Sequence, residues 1–328
     1  MLITGSGRKL DISQAPDTKG SGSTVPGNPQ EATSLDLSLR DISDNDNSAD
    51  GELSGKKLIQ EEATEDNSVC LAEYHLRLDD ARIPLNQLLG KRISLRYLGE
   101  IHCVSCGRKT KKSFQGHCWP CFTSLARCDR CIMSPELCHF AQGTCREPEW
   151  GLKHCFAPHI VYLAASASVK VGITKPSQMP VRWLDQGAVR ALPIFDVASR
   201  QQSGVIEDLL RQKISDRTPW QRMLKGQTTE ADLQEEANQL METFAPEIAQ
   251  IQQQFGLDAI QRRRDVVRHF HYPVLESPKK IVSLNVEKQP HIEGTLMGMR
   301  GQYLILDVGV LNIRRFEGYR FEFECEDE

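Results

Sequence analysis

The chain has 328 residues, enough for about two or three domains of ordinary size. Hydrophobic residues make up 39% and charged residues 26%, with a net charge of −4, and no apolar run approaches the roughly 18 residues of a membrane span. The start, Met1-Leu2-Ile3-Thr4-Gly5-Ser6, lacks the apolar stretch of a secretory signal, so a soluble, cytoplasmic protein is expected and a membrane protein is excluded.

Residues 1–68 hold 13 acidic against 6 basic side chains, a balance of −7, leaving 31 acids and 34 bases, or +3, for the rest. The segment is rich in Ser, Gly, Asp and Asn, as in Ser43-Asp44-Asn45-Asp46-Asn47-Ser48. Such a composition buries too little apolar surface to offset ordering entropy, and a disordered acidic extension is expected. From Val69 the texture changes. Tyr74-His75-Leu76-Arg77-Leu78 and Ile93-Ser94-Leu95-Arg96-Tyr97-Leu98 alternate at the strand period, split by Leu89-Gly90-Lys91. A small β unit over 69–101 follows from this.

Eight of the 11 cysteines then fall within 43 residues: Cys103, Cys106, Cys118, Cys121, Cys128, Cys131, Cys138 and Cys145. Without export, this density points to metal rather than disulfides. Cys103-Val104-Ser105-Cys106 and Cys118-Trp119-Pro120-Cys121 are two C-x-x-C knuckles separated by 11 residues, with Gly107 and Gly116 flanking the loop. Each knuckle offers two thiolates from one tight turn, and two knuckles complete a tetrahedral zinc site of structural type. A redox dithiol normally shows one isolated C-x-x-C. The remaining four, Cys128, Cys131, Cys138 and Cys145, suit a second zinc, in which His139 or Cys155 replaces one ligand or the eight ligands interleave between two ions. His117, His154 and His159 read as ordinary loop histidines.

Arg108, Lys109, Lys111 and Lys112, with Phe114, occupy the loop between the knuckles and combine phosphate partners with a stackable ring. Nucleic acid, DNA or RNA, is the expected partner of this zinc module over 102–158, a protein partner the alternative. A second basic patch, Arg262-Arg263-Arg264 with Arg268, also complements a helix C-terminus.

Residues 159–224 read as a compact block. Ile160-Val161-Tyr162-Leu163 and Val169-Lys170-Val171-Gly172-Ile173 form a hairpin; Ser177 to Pro180 starts a helix that stops at Gly187; Leu192 to Val197 is a strand; and a helix runs from about Gln201 to Ile214. The order is β-β-α-β-α. A helical segment over 225–280 carries the stripe Leu233, Ala237, Leu240, Met241 and Phe244, with Pro246 splitting or kinking it. From Ile281 a C-terminal β unit, 281–328, is punctuated by Gly294, Gly298, Gly301, Gly309 and Gly318. A small barrel or sandwich is expected there, pairing with the 69–101 strands.

On Tyr162, Lys170-Val171-Gly172-Ile173-Thr174, Arg182 and Glu207, the block resembles a divergent GIY-YIG domain, a small nuclease module of homing and repair endonucleases. The likeness covers about 159–224. It implies that Tyr162 helps activate a water, Arg182 stabilises charge on a phosphate, and Glu207 holds one Mg²⁺, with His159 assisting proton transfer. The second signature tyrosine is Lys170, which keeps a phosphate contact but is a weaker base unless its pKa is depressed. Catalysis therefore stays open, as Mg²⁺-dependent phosphodiesterase or non-catalytic adaptor.

Over about 70–324 the chain also resembles a bacterial family of unknown function that joins a multi-cysteine zinc module to such a block. The likeness is carried by Cys118-Trp119-Pro120-Cys121-Phe122, Cys128-Asp129-Arg130-Cys131, Arg182-Trp183-Leu184-Asp185-Gln186-Gly187-Ala188 and Gly301-Gln302-Tyr303-Leu304-Ile305. The fold class expected is α+β: the zinc module, the GIY-YIG-like block, a helical segment and a C-terminal β unit.

Overall fold

A computed structural model of the chain describes residues 2–4, 34–41 and 69–326. The fold is α+β. Most of the acidic extension lies outside the described residues, but two segments of it run as strands: β1 (Leu2–Thr4) and β2 (Ser34–Asp41). Leu35, Leu37 and Leu39 in β2 alternate with Asp36, Ser38 and Arg40, a strand period inside an acidic segment.

Next come β3 (Val69–Leu78), β4 (Ala81–Pro84), β5 (Arg92–His102) and β6 (Lys109–Thr110). Short helices α1 (Trp119–Ser124), α2 (Arg130–Met133) and α3 (Pro148–His154) follow through the cysteine region. The block contains β7 (His159–Ala165), β8 (Val169–Thr174), α4 (Val181–Asp185), β9 (Arg190–Val197) and α5 (Arg200–Leu210). Helices α6 (Trp220–Leu224), α7 (Leu233–Thr243) and α8 (Ala245–Phe255) precede β10 (Ile260–Arg262) and β11 (Arg268–His271). Strands β12 (His291–Arg300), β13 (Tyr303–Leu306), β14 (Gly309–Asn312) and β15 (Tyr319–Cys325) close the chain. Pro246 lies in the first turn of α8, where its missing N–H costs nothing, so the long stripe becomes two helices.

The strands make two open sheets. One runs β1-β15-β5-β12-β13-β14 with β6 on β5; the other runs β2-β3-β11-β9-β7-β8 with β4 on β3 and β10 on β9. Of the expected barrel or sandwich, no closed barrel forms among the described residues: the C-terminal strands join an open sheet. Its centre is β5, flanked by β15 (Leu95 opposite Phe323) and β12 (Leu95 opposite Ile292). Strand β3 goes instead to the other sheet, parallel to β11 (Cys70 opposite Phe270). The strands of 69–101 are thus divided between the sheets, because each completes hydrogen bonding with a partner distant in sequence.

One core joins the sheets, combining Tyr74, Leu95, Tyr162, Trp183, Phe270 and Phe323. A second lies on the far face of β7 and β9, against Ile206 and Leu210 of α5, Leu233 and Leu240 of α7, and Ile248 of α8. Strand β7 serves both, with Ile160, Tyr162 and Ala164 facing the first and Val161, Leu163 and Ala165 the second. Burial on both faces makes it read as an unbroken apolar run. Among the described residues, no helix is long and apolar enough to cross a membrane.

Candidate functional site

Two regions gather chemistry-bearing side chains. The first starts where β5 ends. The Cys103 N–H donates to the Arg108 carbonyl at 2.9 Å, and the Gly107 N–H donates back to Cys103 O at 2.8 Å. Gly107 takes φ +69°, open to glycine at little cost. The second knuckle is built by Gly116, whose carbonyl accepts from the Val104 N–H at 2.9 Å, and by Cys118, which precedes α1.

The thiols of Cys103, Cys106, Cys118 and Cys121 all lie within 4.8 Å of one another, and Cys106 Sγ to Cys118 Sγ is 3.8 Å. A tetrahedral zinc with bonds of about 2.3 Å holds its sulfurs roughly 3.8 Å apart, so the cluster fits one ion. Burial raises the Cys103 thiol, yet the N–H groups of Cys118, Cys106 and Ser105 outweigh it and leave the pKa below the ordinary value. Arg108 Nε donates to Cys106 Sγ at 3.4 Å and, with the Arg108 amide, pulls that thiol down to about 6. Cys121 is pushed up to about 12 by burial and by the neighbouring cysteines. Four thiolates cannot share this space without a cation, and a divalent metal removes the conflict.

Of the four basic residues expected to meet a polyanion, Arg108 is engaged with Cys106 and Lys109 pairs with Glu100 at 2.6 Å, while Lys111 and Lys112 are exposed. Phe114, Trp119 and Phe122 cluster beside them, with ring centroids 5.1 to 6.1 Å apart and Trp119 57% exposed. In the second basic patch, Arg263 is bound by Asp196 and Asp265.

The other expected ligands lie around α2 and α3. Cys131, Cys138 and Cys145 line a cavity of about 20 Å³, and the fourth thiol there is Cys155. Cys128 is not on that cavity; among the groups acting on its thiol are Arg127, Arg146, Cys103 and Glu147. Asp129, Cys131 and His139 also form a compact trio, but Asp129 Oδ2 is 2.8 Å from Arg146 Nε and His139 Nδ1 is 2.7 Å from Thr144 Oγ1.

The second region is the α/β block. Tyr162 is opposite Gly172 across the β7–β8 hairpin and Lys170 is opposite Ala164, so Tyr162 and Lys170 share a face. A Cβ on Gly172 would lie 2.7 Å from the Tyr162 hydroxyl; the glycine makes room for the ring. Tyr162 Oη donates to Gln186 Oε1 at 2.8 Å, and its ring meets Trp183 edge-on at 5.9 Å. Burial pushes Tyr162 up to about 12, with Arg182 opposing and Glu207 adding.

Lys170 is 5% exposed, and burial with the nearby Arg182 brings its ammonium down to about 7 against the pull of Glu207 and Asp216. Glu207 on α5 is raised to about 7, chiefly by burial, while Arg211, Arg200 and Arg182 restrain it. Arg182 and Glu207 therefore both act on the charge of Tyr162 and of Lys170. His159 is fully buried, bonded to the Ala157 carbonyl at 2.8 Å and lowered to about 4 by burial. It is a neutral strand residue rather than a loop histidine. The residue that sequence reasoning missed is Arg200. It joins the two regions, its N–H donating to Cys155 O at 2.7 Å and its Nη2 to Ile132 O at 2.6 Å.

The model of the family described as a protein of unknown function, DUF2797, matches residues 90–321. The chain belongs to that family. No curated protein and no solved structure matches it. The matched span takes in the cysteine region, the α/β block and strands of both sheets.

Proposed function

We propose that this family member is a zinc-containing, nucleic-acid-binding protein whose α/β block cleaves phosphodiesters with Mg²⁺. The observation that carries the reading is that Arg182 and Glu207, from two helices, act on the charge of both Tyr162 and Lys170, which share one face of the β7–β8 hairpin. The reading takes up the sequence resemblance of the block to GIY-YIG nucleases, with Lys170 at the position of the second tyrosine. A depressed pKa near 7 leaves much of the Lys170 amine unprotonated at neutral pH, which suits it to accept a proton from water. Tyr162, raised to about 12, stays a phenol and donates a hydrogen bond. Arg182 offsets phosphate charge, and Glu207 is the carboxylate for the ion. Mg²⁺, when bound, polarises the phosphoryl oxygen. Zinc at Cys103, Cys106, Cys118 and Cys121 holds the Phe114–Trp119–Phe122 platform and Lys111 and Lys112 in place for a polyanion.

A second reading, a non-catalytic adaptor binding phosphate groups or a protein, draws on the burial of Tyr162 and Lys170, which are 0% and 5% exposed. Cleavage of a pool of single-stranded, duplex and branched DNA and RNA, with Mg²⁺ or Mn²⁺, decides between them. The nuclease reading expects cleavage that Glu207→Ala abolishes and Lys170→Met lowers by on the order of 10²–10⁴-fold. Binding that falls steeply with salt, without cleavage by either protein, would favour the adaptor. Equal cleavage by native protein and Glu207→Ala would remove the site assignment.

A further inference from the structure

The cavity in the second half of the cysteine region is lined by Cys131, Cys138, Cys145 and Cys155, from α2, the turns after it, and the C-terminus of α3. Its volume of about 20 Å³ admits one water-sized occupant. None of these thiols is in a disulfide. Helix α3 packs against the cavity wall: a Cβ on Gly151 would lie 3.3 Å from Phe140 Cδ2 and 3.4 Å from Cys145 Sγ. We propose that this cavity is a second tetrahedral zinc site with Cys131, Cys138, Cys145 and Cys155 as ligands, and that Cys128 is not one.

A separate observation points to the same occupant. Arg200 Nε is buried and has no hydrogen-bond partner, although the same guanidinium donates to Ile132 O. Arg200 lines a smaller adjoining cavity together with Cys131, Cys138 and Cys155. A buried guanidinium donor left unpaired is costly. Metal-bound thiolate sulfur is an acceptor for it, the part that Cys106 Sγ plays for Arg108 Nε in the first cluster. Zn²⁺ with four thiolates carries a net charge of −2, and Arg200 and Lys175, both of which act on the Cys155 thiol, supply compensating positive charge. Asp129 and His139 come within 4.8 Å of the Cys131 thiol, but Asp129 is held by Arg146 Nε at 2.8 Å and lies 3.5 Å from His139 Nε2, and the proposal assigns the pair as supports around the ion, with the four thiols as ligands.

The site fastens the cysteine region to the α/β block. Arg200 is the first residue of α5, the helix that carries Glu207. Packing there is close: a Cβ on Gly204 would lie 2.6 Å from the Glu136 backbone nitrogen.

Metal analysis of the full-length protein, purified under reducing conditions without added metal, tests the assignment. We expect two zinc ions per chain, falling to one in Cys145→Ser and in Cys155→Ser and staying at two in Cys128→Ser, Asp129→Asn and His139→Ala. Cys106→Ser, which strikes the first cluster, should lose a different ion, so the two sites can fail independently. One ion in the native protein, unchanged by Cys155→Ser, would overturn the proposal; so would loss of an ion in Cys128→Ser or His139→Ala. If the serine variants do not fold, Co²⁺ substitution of the native protein decides. Two tetrathiolate centres support the assignment, and one tetrathiolate plus one mixed N/O/S centre contradicts it.

Discussion

Residues 102–158 and residues 159–210 are neighbours of similar size, yet they are held together by different means. Between 102 and 158 the buried apolar side chains are Cys103, Cys118, Ala126 and Pro135. The α/β block buries Ile160, Tyr162, Leu163, Trp183, Leu184, Phe195 and Ile206, each almost wholly shielded from water. The first region is too poor in core to fold by burial alone, and segments of that kind borrow stability from metal. The second has two apolar faces on one strand and does not need it. The difference teaches where function is free to vary: exposed aromatics and lysines sit on the cysteine-rich part, while ionisable groups are buried in the core-held part.

The largest effect that sharpens this contrast is Trp183→Ala. The ring is fully buried between Tyr162 and Phe270, and its loss should cost about 3–5 kcal/mol and lower the unfolding midpoint with or without metal.

Lys170→Met comes next, with the opposite sign. The Lys170 pKa falls from 10.5 to about 7 on folding, so its contribution is fully present above pH 10.5, is lost as pH falls toward 7, and is level below. Between those limits native stability should climb with pH by up to about 1.4 kcal/mol per unit, and the slope should vanish in Lys170→Met. Glu207 does not mask the effect, since its carboxyl, raised from 4.5 to about 7, loses stability only as pH rises through the window below. At pH 7 the variant should be more stable than the native protein and less active, a trade expected of buried functional groups. Equal pH slopes in the two proteins would show that the amine is not buried as described.

Gly172→Ala should be smaller, about 1–3 kcal/mol, because the new methyl meets the Tyr162 hydroxyl and disturbs its bond to Gln186. An unchanged unfolding midpoint would contradict the close approach. Trp119→Ala should leave stability within about 0.5 kcal/mol, since the ring is 57% exposed. Binding to single-stranded nucleic acid should weaken by about 1–3 kcal/mol, and unchanged affinity would remove Trp119 from the proposed platform.

Much of this architecture is legible in the residues themselves. The apolar run Ile160–Leu163 and the Gly187 stop mark β7 and the end of α4, Pro246 separates α7 from α8, and the two regular knuckles announce a compact thiol cluster. What is not legible depends on contacts distant along the chain. Nothing local sends β3 to β11 and β5 to β12 and β15. Strand β2 is masked in the sequence although Leu35, Leu37 and Leu39 carry the period, because the acidic composition around them outweighs eight residues. Cys155 lies ten residues beyond Cys145 and joins it only because α3 folds back on the cavity. Arg200 reads as an ordinary helix-start residue until its carbonyl partner on Ile132 is known.

The proposal that metal holds the cysteine region while burial holds the α/β block is tested most directly by amide hydrogen exchange of the full-length reduced protein before and after chelation. On metal removal, the amides of 103–155, including the helical N–H groups of Phe122, Leu125 and Cys155, should lose protection. Those of strands β7, β8 and β9 should keep it. Protection that persists through 103–155 without metal, or that collapses equally in 160–197, would contradict the account.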